Sequence, residues 1–168
     1  VDKDDVIAAG IAYQMHGLVL VDKDMKVLRP SIIWCDSRAV TTGNKAFEEI
    51  GEKKCLKQLY NSPGNFTASK LKWVKDNEPG IYEKIRYIML PGDFLAMRLT
   101  GNISTTITGL SEAILWDFTN GKPAESVMDY YGIPEDIIPG IVGVFSDQGN
   151  ISKDVAGDLG LSEKTIIA

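Results

Sequence analysis

The sequence is poor in the residues that build disulfide frameworks and metal centres. Its 168 residues include two cysteines and one histidine, and Cys35 and Cys55 form no C-x-x-C pair. A structural zinc site needs four such ligands, and a disulfide scaffold needs a larger even set of cysteines. The sequence therefore lacks the ligands for either, and reduced thiols in a cytosolic protein are expected.

Long apolar runs and blocks of one charge are also missing. No stretch approaches the roughly 18 apolar residues of a membrane span. The first residues, 1–5, are acidic where a signal peptide is basic and then apolar. The net charge is -5, with acidic and basic residues interspersed. We therefore expect a cytoplasmic protein that binds neither nucleic acid nor a membrane surface.

Several catalytic signatures are absent as well. The patterns G-x-G-x-x-G, G-x-x-x-x-G-K-[ST], G-x-S-x-G and H-E-x-x-H do not occur. Dinucleotide binding, a P-loop, a serine hydrolase and a zincin each lack their basic requirement. The pair Gly140 and Gly143 encloses apolar residues and no lysine, so it does not predict a phosphate loop.

What is present fits one ordinary globular domain. Hydrophobic residues make up 44% of the chain, enough to bury a core without disulfides or metal ions. Apolar runs over 6–13 and 17–22, a turn at 22–24 and an extended piece at 32–34 predict strands with a hairpin. Over 37–60 the apolar residues recur at the spacing of a helix. Because strands and helices alternate to the end, the sequence predicts an α/β or α+β fold with a mixed sheet.

Two stretches have the clearest helix signals, 67–77 and 91–101. The Thr67 hydroxyl is expected to cap the first helix. Asp93 is interpreted as an acid at the N-terminus of the second helix, where the helix dipole and free amide hydrogens favour it. The solvated side of the first helix is predicted to contain Lys70, Lys72, Lys75 and Asp76.

The string Gln14-Met15-His16-Gly17 lies between two predicted strands, where side chains can project into a cleft. The His16 ring and the Gln14 amide provide hydrogen-bond donors and acceptors at fixed spacing, and Gly17 lets the backbone approach a ligand. The alternative interpretation is a hydrogen-bonded structural histidine beside a strand.

The string Trp34-Cys35-Asp36-Ser37-Arg38 combines an aromatic face, a carboxylate and a guanidinium at a strand end. Such combinations bind sugars, because apolar faces stack on sugar rings and charged groups meet hydroxyls. The alternative is a core tryptophan, a helix cap from Asp36 or Ser37, and a surface ion pair.

Two further strings complete a pattern that resembles a known family. Residues 65–79 read NFTASKLKWVKDNEP, and residues 90–101 read LPGDFLAMRLTG. By periodicity alone both are amphipathic scaffold helices. Taken in order with QMHG at 14–17 and WCDSR at 34–38, they resemble the N-terminal domain of FGGY carbohydrate kinases. QMHG is similar to the stretch that is characteristic of xylulokinases.

The resemblance implies a fold of the actin, hexokinase and ribonuclease H type, with a mixed sheet and flanking helices. In that family two such domains flank a cleft, the first binding the sugar and the second binding ATP. By resemblance, residues 1–168 are a truncated part of the first domain, without the ATP-binding domain. The complete enzyme would use ATP and Mg²⁺.

The resemblance also implies a set of sugar-binding residues. Met15 and His16 would contact sugar hydroxyls, and Trp34 would lie against the sugar. Asn65 stands where relatives more often have glycine or an aromatic residue. The whole implied set is Gln14, Met15, His16, Trp34, Asp36 and Asn65.

By resemblance, the residues that perform the chemistry lie elsewhere. The family's phosphate loop precedes the region matched by Val1. Its catalytic aspartate, which accepts the proton of the attacking hydroxyl, follows the strand matched by 165–167. We therefore expect no catalytic residue up to Ala168, and no activity from these residues alone. Open strand edges are expected to pair with a second copy of the chain.

Three functions stay open at this point. The first choice is a pentulose kinase that converts D-xylulose to D-xylulose 5-phosphate. Another FGGY kinase, acting on ribulose, gluconate or a related sugar, would differ in only a few pocket side chains. A sugar-sensing or protein-interaction module without catalysis could use the same scaffold.

Overall fold

The computed structural model describes residues 2–168, apart from the side chain of Asp4. They form eight α-helices and eight short strands: two strands come first, four helices follow in succession, and strands and helices are interspersed from residue 87 onward. The helices are α1 (Val40–Ile50), α2 (Glu52–Gln58), α3 (Thr67–Asn77), α4 (Pro79–Tyr82), α5 (Pro91–Thr100), α6 (Ile107–Glu112), α7 (Glu125–Tyr131) and α8 (Lys153–Leu159). The strands are β1 (Ala8–Ala9), β2 (Val19–Val21), β3 (Tyr87–Met89), β4 (Ser104–Thr106), β5 (Trp116–Asp117), β6 (Lys122–Pro123), β7 (Gly140–Val142) and β8 (Ile166–Ile167).

Strand pairing is both parallel and antiparallel, which confirms the predicted mixed arrangement. β2 pairs antiparallel with β3, with Leu20 opposite Ile88, and β5 pairs antiparallel with β6. β1 runs parallel to β8, and β4 runs parallel to β7. The pairing is divided among four two-stranded sheets. Because β1 pairs with the last strand and not with β2, the two predicted neighbouring strands at the start do not pair with each other.

The predicted hairpin follows β2. The Asp22 amide donates to the Lys26 carbonyl oxygen at 3.0 Å, and the chain returns to pair with β2 at Val27. The Asp22 carboxylate also accepts from the Lys26 amide at 2.9 Å, the side-chain bonding that stabilises turns at Asp and Asn. The extended piece predicted at 32–34 is reduced to one bridge at Ile32.

Helix α3 lies at the centre of the larger core. Ala68, Leu71 and Val74 are completely buried, and their three-residue spacing places them on one face of the helix. The Ser69 hydroxyl, on the same helix, hydrogen-bonds the buried Tyr131 hydroxyl of α7 at 2.8 Å. Burying a Leu or Val side chain stabilises a fold by roughly 1.5–3 kcal/mol, so this face holds α3 firmly in place.

Two predictions about α3 are wrong. Thr67 does not cap the helix: it is the first helical residue, and Phe66 occupies the cap position with extended backbone. The Thr67 hydroxyl instead donates to the Gly17 carbonyl oxygen at 3.4 Å. Lys70 is completely buried, whereas the sequence predicted a solvated side chain. Positions 67, 70, 71 and 74 share one helical face, so Lys70 follows its neighbours into the interior.

No helix within residues 2–168 combines the length and the apolar character that a bilayer crossing requires. The long helices α1 and α3 have 11 residues each. Both are far shorter than the roughly 20 residues that span the hydrocarbon core.

Helix α1 touches the loop before α3 with no room for a side chain. A Cβ added to Gly43 would lie 1.7 Å from the carbonyl oxygen of Gly64. That oxygen belongs to the backbone and cannot rotate away. The contact therefore anchors the loop from which Asn65 projects.

Replacing Gly43 by alanine is expected to lower the free energy of unfolding by about 2 kcal/mol or more, because one backbone must move away from the other. The measurement is urea unfolding followed by circular dichroism. Gly157→Ala in α8 is the matched control, since a Cβ there meets nothing within 4 Å. The control should be neutral or stabilising by up to about 1 kcal/mol. Equal effects at the two positions would contradict the close approach.

Candidate functional site

His16 lies in a turn between β1 and β2. Its backbone is left-handed, with φ of 59°, a conformation that costs a residue other than glycine roughly 1–3 kcal/mol and persists where the surroundings impose it. Its ring packs edge-on against Phe66, with centroids 4.3 Å apart. The ring atom Nδ1 lies 3.0 Å from the carbonyl oxygen of Glu112.

These contacts assign the tautomer of the His16 ring. A carbonyl oxygen can only accept, so Nδ1 is the donor and holds a proton. In the neutral ring the other nitrogen, Nε2, is then an acceptor. The ring is held at one nitrogen and presents the other to a donor such as a hydroxyl group.

The backbone next to the His16 ring is fixed from two helices. Lys70 Nζ, from α3, donates to the carbonyl oxygen of His16 at 2.7 Å. A Cβ on Gly17 would lie 2.6 Å from the ring atom Cγ of Pro91, the first residue of α5. The close approach that Gly17 permits is therefore to Pro91, whereas the sequence suggested an approach to a ligand.

Trp34 lies in the turn that follows the bridge at Ile32, and 55% of its surface is exposed. The alternative of a core tryptophan is therefore wrong. Nearby, Arg38 Nη2 and Asp36 Oδ2 form an ion pair of 2.7 Å, and Arg38 Nε lies within 3.0 Å of both Asp36 oxygens. The Arg38 guanidinium also lies 4.6 Å above the Trp73 ring.

The ion pair determines the charge of Asp36. Hydrogen bonding from Arg38 lowers the pKa of Asp36 to about 2, so this carboxylate is ionised at neutral pH. Asp36 does not cap α1, which begins at Val40 after Ala39. The surface ion pair that the sequence offered as an alternative is present.

Asn65 connects the Trp34 turn to the loop before α3. Its Nδ2 donates to the Asp36 carbonyl oxygen at 2.7 Å and, less closely, to that of Trp34 at 3.4 Å. Its Oδ1 is buried and accepts no hydrogen bond from any of the residues described. Leaving a buried polar atom unpaired costs roughly 1–3 kcal/mol. A donor from a bound molecule would remove that cost.

A cleft of about 240 Å³ opens beside the His16 ring. Tyr60 and Phe118 line it with stacked rings, 4.6 Å apart and inclined by 18°. Tyr60 is 68% exposed and has a left-handed backbone, with φ of 56°. Ser111 and Glu112 add polar groups. Aromatic faces beside a few polar groups are typical of sugar-binding clefts.

Hydrogen bonds join three of the six predicted residues: Asn65, Trp34 and Asp36. The His16 ring contacts Phe66, which follows Asn65 in the sequence. Gln14 and Met15 precede His16 in the same turn and are exposed, Met15 by 50%. Among residues 2–168, no hydrogen bond or ring contact joins either side chain to the Trp34 turn.

Asp93 has a role in the fold. It is the third residue of α5, and its Oδ2 accepts from the Leu90 amide at 3.1 Å and from the Thr105 hydroxyl at 3.0 Å. Burial raises the pKa of Asp93 to about 6, although both hydrogen bonds favour the carboxylate. The prediction of an acid at a helix N-terminus is confirmed.

Sequence reasoning missed three residues around the His16 turn: Lys70, Tyr60 and Phe118. A signal for Lys70 was present, because it lies three residues after Thr67 and four before Val74 on one helical face. No local pattern relates Tyr60 to Phe118, since the loop after α2 and the strand β5 meet only through the tertiary fold.

Aromatic and hydrogen-bonding groups around an exposed turn are features that sugar-binding proteins share. The family model described as "FGGY family of carbohydrate kinases, N-terminal domain" matches residues 1–168. The chain belongs to this family.

Curated relatives are similar over almost all of the chain. It is 34% identical over 158 residues to a protein named xylulose kinase from Bacillus subtilis (strain 168), covering 93% of this chain and 32% of the relative. It is 29% identical over 164 residues to the xylulose kinase of Escherichia coli (strain K12), covering 98% of this chain and 34% of that protein. The chain thus spans about a third of the length of these relatives.

Solved structures confirm the fold. A structure described as a xyloylose kinase from Brucella ovis superposes with a TM-score of 0.79 at 30% identity, covering 92% of this chain and 32% of that one. Gluconate kinase from Lactobacillus acidophilus gives a TM-score of 0.87 at 20% identity, covering 96% of this chain and 33% of that one. The predicted family and the mixed α/β fold are both confirmed.

The raised pKa of Asp93 predicts a pH-dependent stability. A carboxyl whose pKa rises from 3.8 to about 6 on folding favours the unfolded chain once it ionises. The folded protein should therefore lose stability, relative to Asp93→Asn, as the pH rises from about 4 to about 6. The loss should total roughly 2–3 kcal/mol and stay constant above pH 6.

The measurement is the free energy of unfolding in urea at several pH values for the wild type and Asp93→Asn, whose amide can still accept the two hydrogen bonds. Asp154→Asn, at an exposed position in the first turn of α8, is the matched control and should not reproduce this pattern between pH 4 and pH 6. A constant difference for Asp93→Asn as well would contradict the assignment.

Proposed function

We propose that the complete protein is an ATP-dependent pentulose kinase that converts D-xylulose to D-xylulose 5-phosphate. The single observation that carries this proposal is the His16 turn. One ring nitrogen is held by Glu112, the other is an acceptor, and the adjacent Met15 is half exposed. The names of the xylulose kinases from two bacteria support the choice of sugar.

In this proposal the sugar lies against the His16 turn. The His16 Nε2 atom accepts a hydrogen bond from a sugar hydroxyl, and Met15 contacts the sugar beside it. Trp34 provides an exposed apolar face for the carbon chain, with Gln14 and Asp36 supporting it. Asn65 lies next to this wall and donates from Nδ2 to the Asp36 carbonyl oxygen at 2.7 Å. The stacked pair of Tyr60 and Phe118 forms a second aromatic wall next to His16.

We propose that the proton acceptor for the attacking hydroxyl lies outside residues 2–168. Asp36 is a poor base at neutral pH, because its pair with Arg38 lowers its pKa to about 2. Asp93 has a more suitable pKa but is buried, and its Oδ2 is occupied by Leu90 and Thr105. We therefore assign a structural role to both carboxylates.

ATP and Mg²⁺ belong to the proposed reaction of the complete enzyme. Bound Mg²⁺ would neutralise phosphate charge during transfer. Among the side chains that the structure describes, no three of His, Cys, Asp or Glu are grouped as a metal site would need. We therefore place no Mg²⁺ ligand among these side chains.

The organisation of the complete protein is part of the proposal. Residues 1–168 form part of the sugar-binding N-terminal domain, and ATP is bound by a second domain. The cytoplasm, where ATP is available, is the proposed location.

Pairing of two copies at an open strand edge is also proposed. Exposed Ile141 in β7 and Phe145 beside it are the surface for it, and sedimentation equilibrium decides between monomer and dimer.

The proposed substrate is tested with the complete protein, ATP and a panel of D-xylulose, D-ribulose, D-gluconate and glycerol. Release of ADP is measured with a coupled assay. D-xylulose should give the highest kcat/KM, by about tenfold or more over the other sugars, a difference of about 1.4 kcal/mol in transition-state binding. A preference for ribulose or gluconate would overturn the substrate. Sugar binding without any turnover would instead identify a sensing module.

His16→Asn tests the principal site residue. Asparagine tolerates the left-handed conformation and can still donate to the Glu112 carbonyl, but it lacks Nε2. We expect the KM for D-xylulose to rise about tenfold, which corresponds to the loss of one hydrogen bond to a hydroxyl. His16→Ala should add a loss of thermal stability. An unchanged KM in a folded His16→Asn protein would remove His16 from the site.

A further inference from the structure

The most unusual buried group in residues 2–168 is the amine of Lys70. Its side chain exposes 0% of its surface, although lysines are almost never fully buried unless they are paired. Burial lowers the pKa of this amine. Keeping an ammonium group away from water is costly, so a specific contact must justify its position.

That contact is with the turn that contains His16. The Lys70 amine donates to the His16 carbonyl oxygen at 2.7 Å, and this is the one hydrogen bond it donates within residues 2–168. A charged donor at this distance makes a strong hydrogen bond. The residue it holds is the one whose backbone is left-handed, with φ of 59°. The buried amine of Lys70 is therefore bonded directly to the residue with the strained backbone, His16.

The charged groups around Lys70 belong to the other half of the site. The negative charge of Asp36 opposes the effect of burial on the pKa of Lys70. In turn, the charge on Lys70 contributes to the low pKa of Asp36. Lys70 thus interacts with the His16 turn by a hydrogen bond and with the Trp34–Asp36 turn by its charge.

The stem of Lys70 is held as firmly as its amine. The residue lies in α3 between Ser69 and Leu71, both completely buried. Ser69 hydrogen-bonds Tyr131 and the Pro63 carbonyl oxygen. The backbone from which the Lys70 amine extends is therefore fixed in α3. The His16 carbonyl cannot rotate without breaking its hydrogen bond to this helix.

We propose that Lys70 is a positioning residue for sugar binding, holding the His16 turn in the conformation that presents Nε2 and Met15 to the sugar. This inference rests on the proposed function and deepens it. Lys70 itself does not touch the sugar, because its side chain is buried beneath the turn. It acts through the orientation of His16.

The first test measures sugar affinity in the complete protein by isothermal titration with D-xylulose. Lys70→Met keeps the length of the side chain and removes the donor. We expect the dissociation constant to rise about tenfold. Lys72→Met, on the same helix but paired with Asp76, is the matched control and should leave the dissociation constant unchanged.

Coupling to His16 separates positioning from a general loss of structure. In the His16→Asn background, Lys70→Met should weaken sugar binding by less than about threefold, because the group that it positions is already gone. A second tenfold loss in that background would overturn the proposal. So would a Lys70→Met protein that melts at a lower temperature but binds the sugar as tightly as the wild type.

The second test needs no sugar. Ring nitrogen shifts of His16 are measured by ¹⁵N NMR and assigned by their absence in His16→Asn. Lys70→Met should shift the ring away from the form with the proton on Nδ1, because the turn no longer holds Nδ1 against Glu112. Lys72→Met should leave the signals in place. Unchanged His16 signals in Lys70→Met would overturn the positioning role.

The two tests also distinguish the inference from the function on which it rests. If the wild type binds no pentulose, the proposed function fails, and the NMR measurement still decides the link between Lys70 and His16. If Lys70→Met does not fold, Lys70→Gln takes its place, because it keeps a polar group but cannot supply the charge or the full reach. Wild-type affinity and ring signals in Lys70→Gln would then overturn the proposal.

Discussion

The hydrogen bond from the Lys70 amine to the His16 carbonyl is the interaction on which the site depends. It connects a strained surface turn to the most deeply buried helix of the larger core. Because Leu71 and Val74 hold α3 in place, the amine cannot follow the turn if the turn moves. The packing of the core thus fixes the orientation of one partly buried imidazole ring. A site built on such an element is more precise than one carried by a free loop.

The two carboxylates Asp36 and Asp93 have opposite electrostatic environments. Asp36 is hydrogen-bonded to Arg38, which stabilises the carboxylate and lowers the pKa of Asp36 to about 2. Asp93 is buried, which destabilises the carboxylate and raises its pKa to about 6. The first is a fixed negative charge and the second is a helix-terminal acceptor for Leu90 and Thr105. Neither environment combines accessibility with a suitable pKa, so neither carboxylate is proposed as the proton acceptor.

Helices were predicted well where their signals are local. The bounds of α3 and α5 agree with prediction, because Pro91 at the start and Gly101 at the end of α5 act on the backbone directly. The parallel pairing of β1 with β8 was not predicted, since register between distant segments depends on the whole fold. The family and the mixed α/β fold were anticipated from four strings in order, a signal that no single string contains.

The candidate site was likewise predictable only in part. Residue identity sets which chemical groups are available: an imidazole at His16, an indole at Trp34 and an amide at Asn65. The burial of Lys70 beneath His16 and the stacking of Tyr60 on Phe118 exist only in the folded chain. Side-chain chemistry is a property of each residue, whereas burial and contact depend on segments that meet only after the chain has folded.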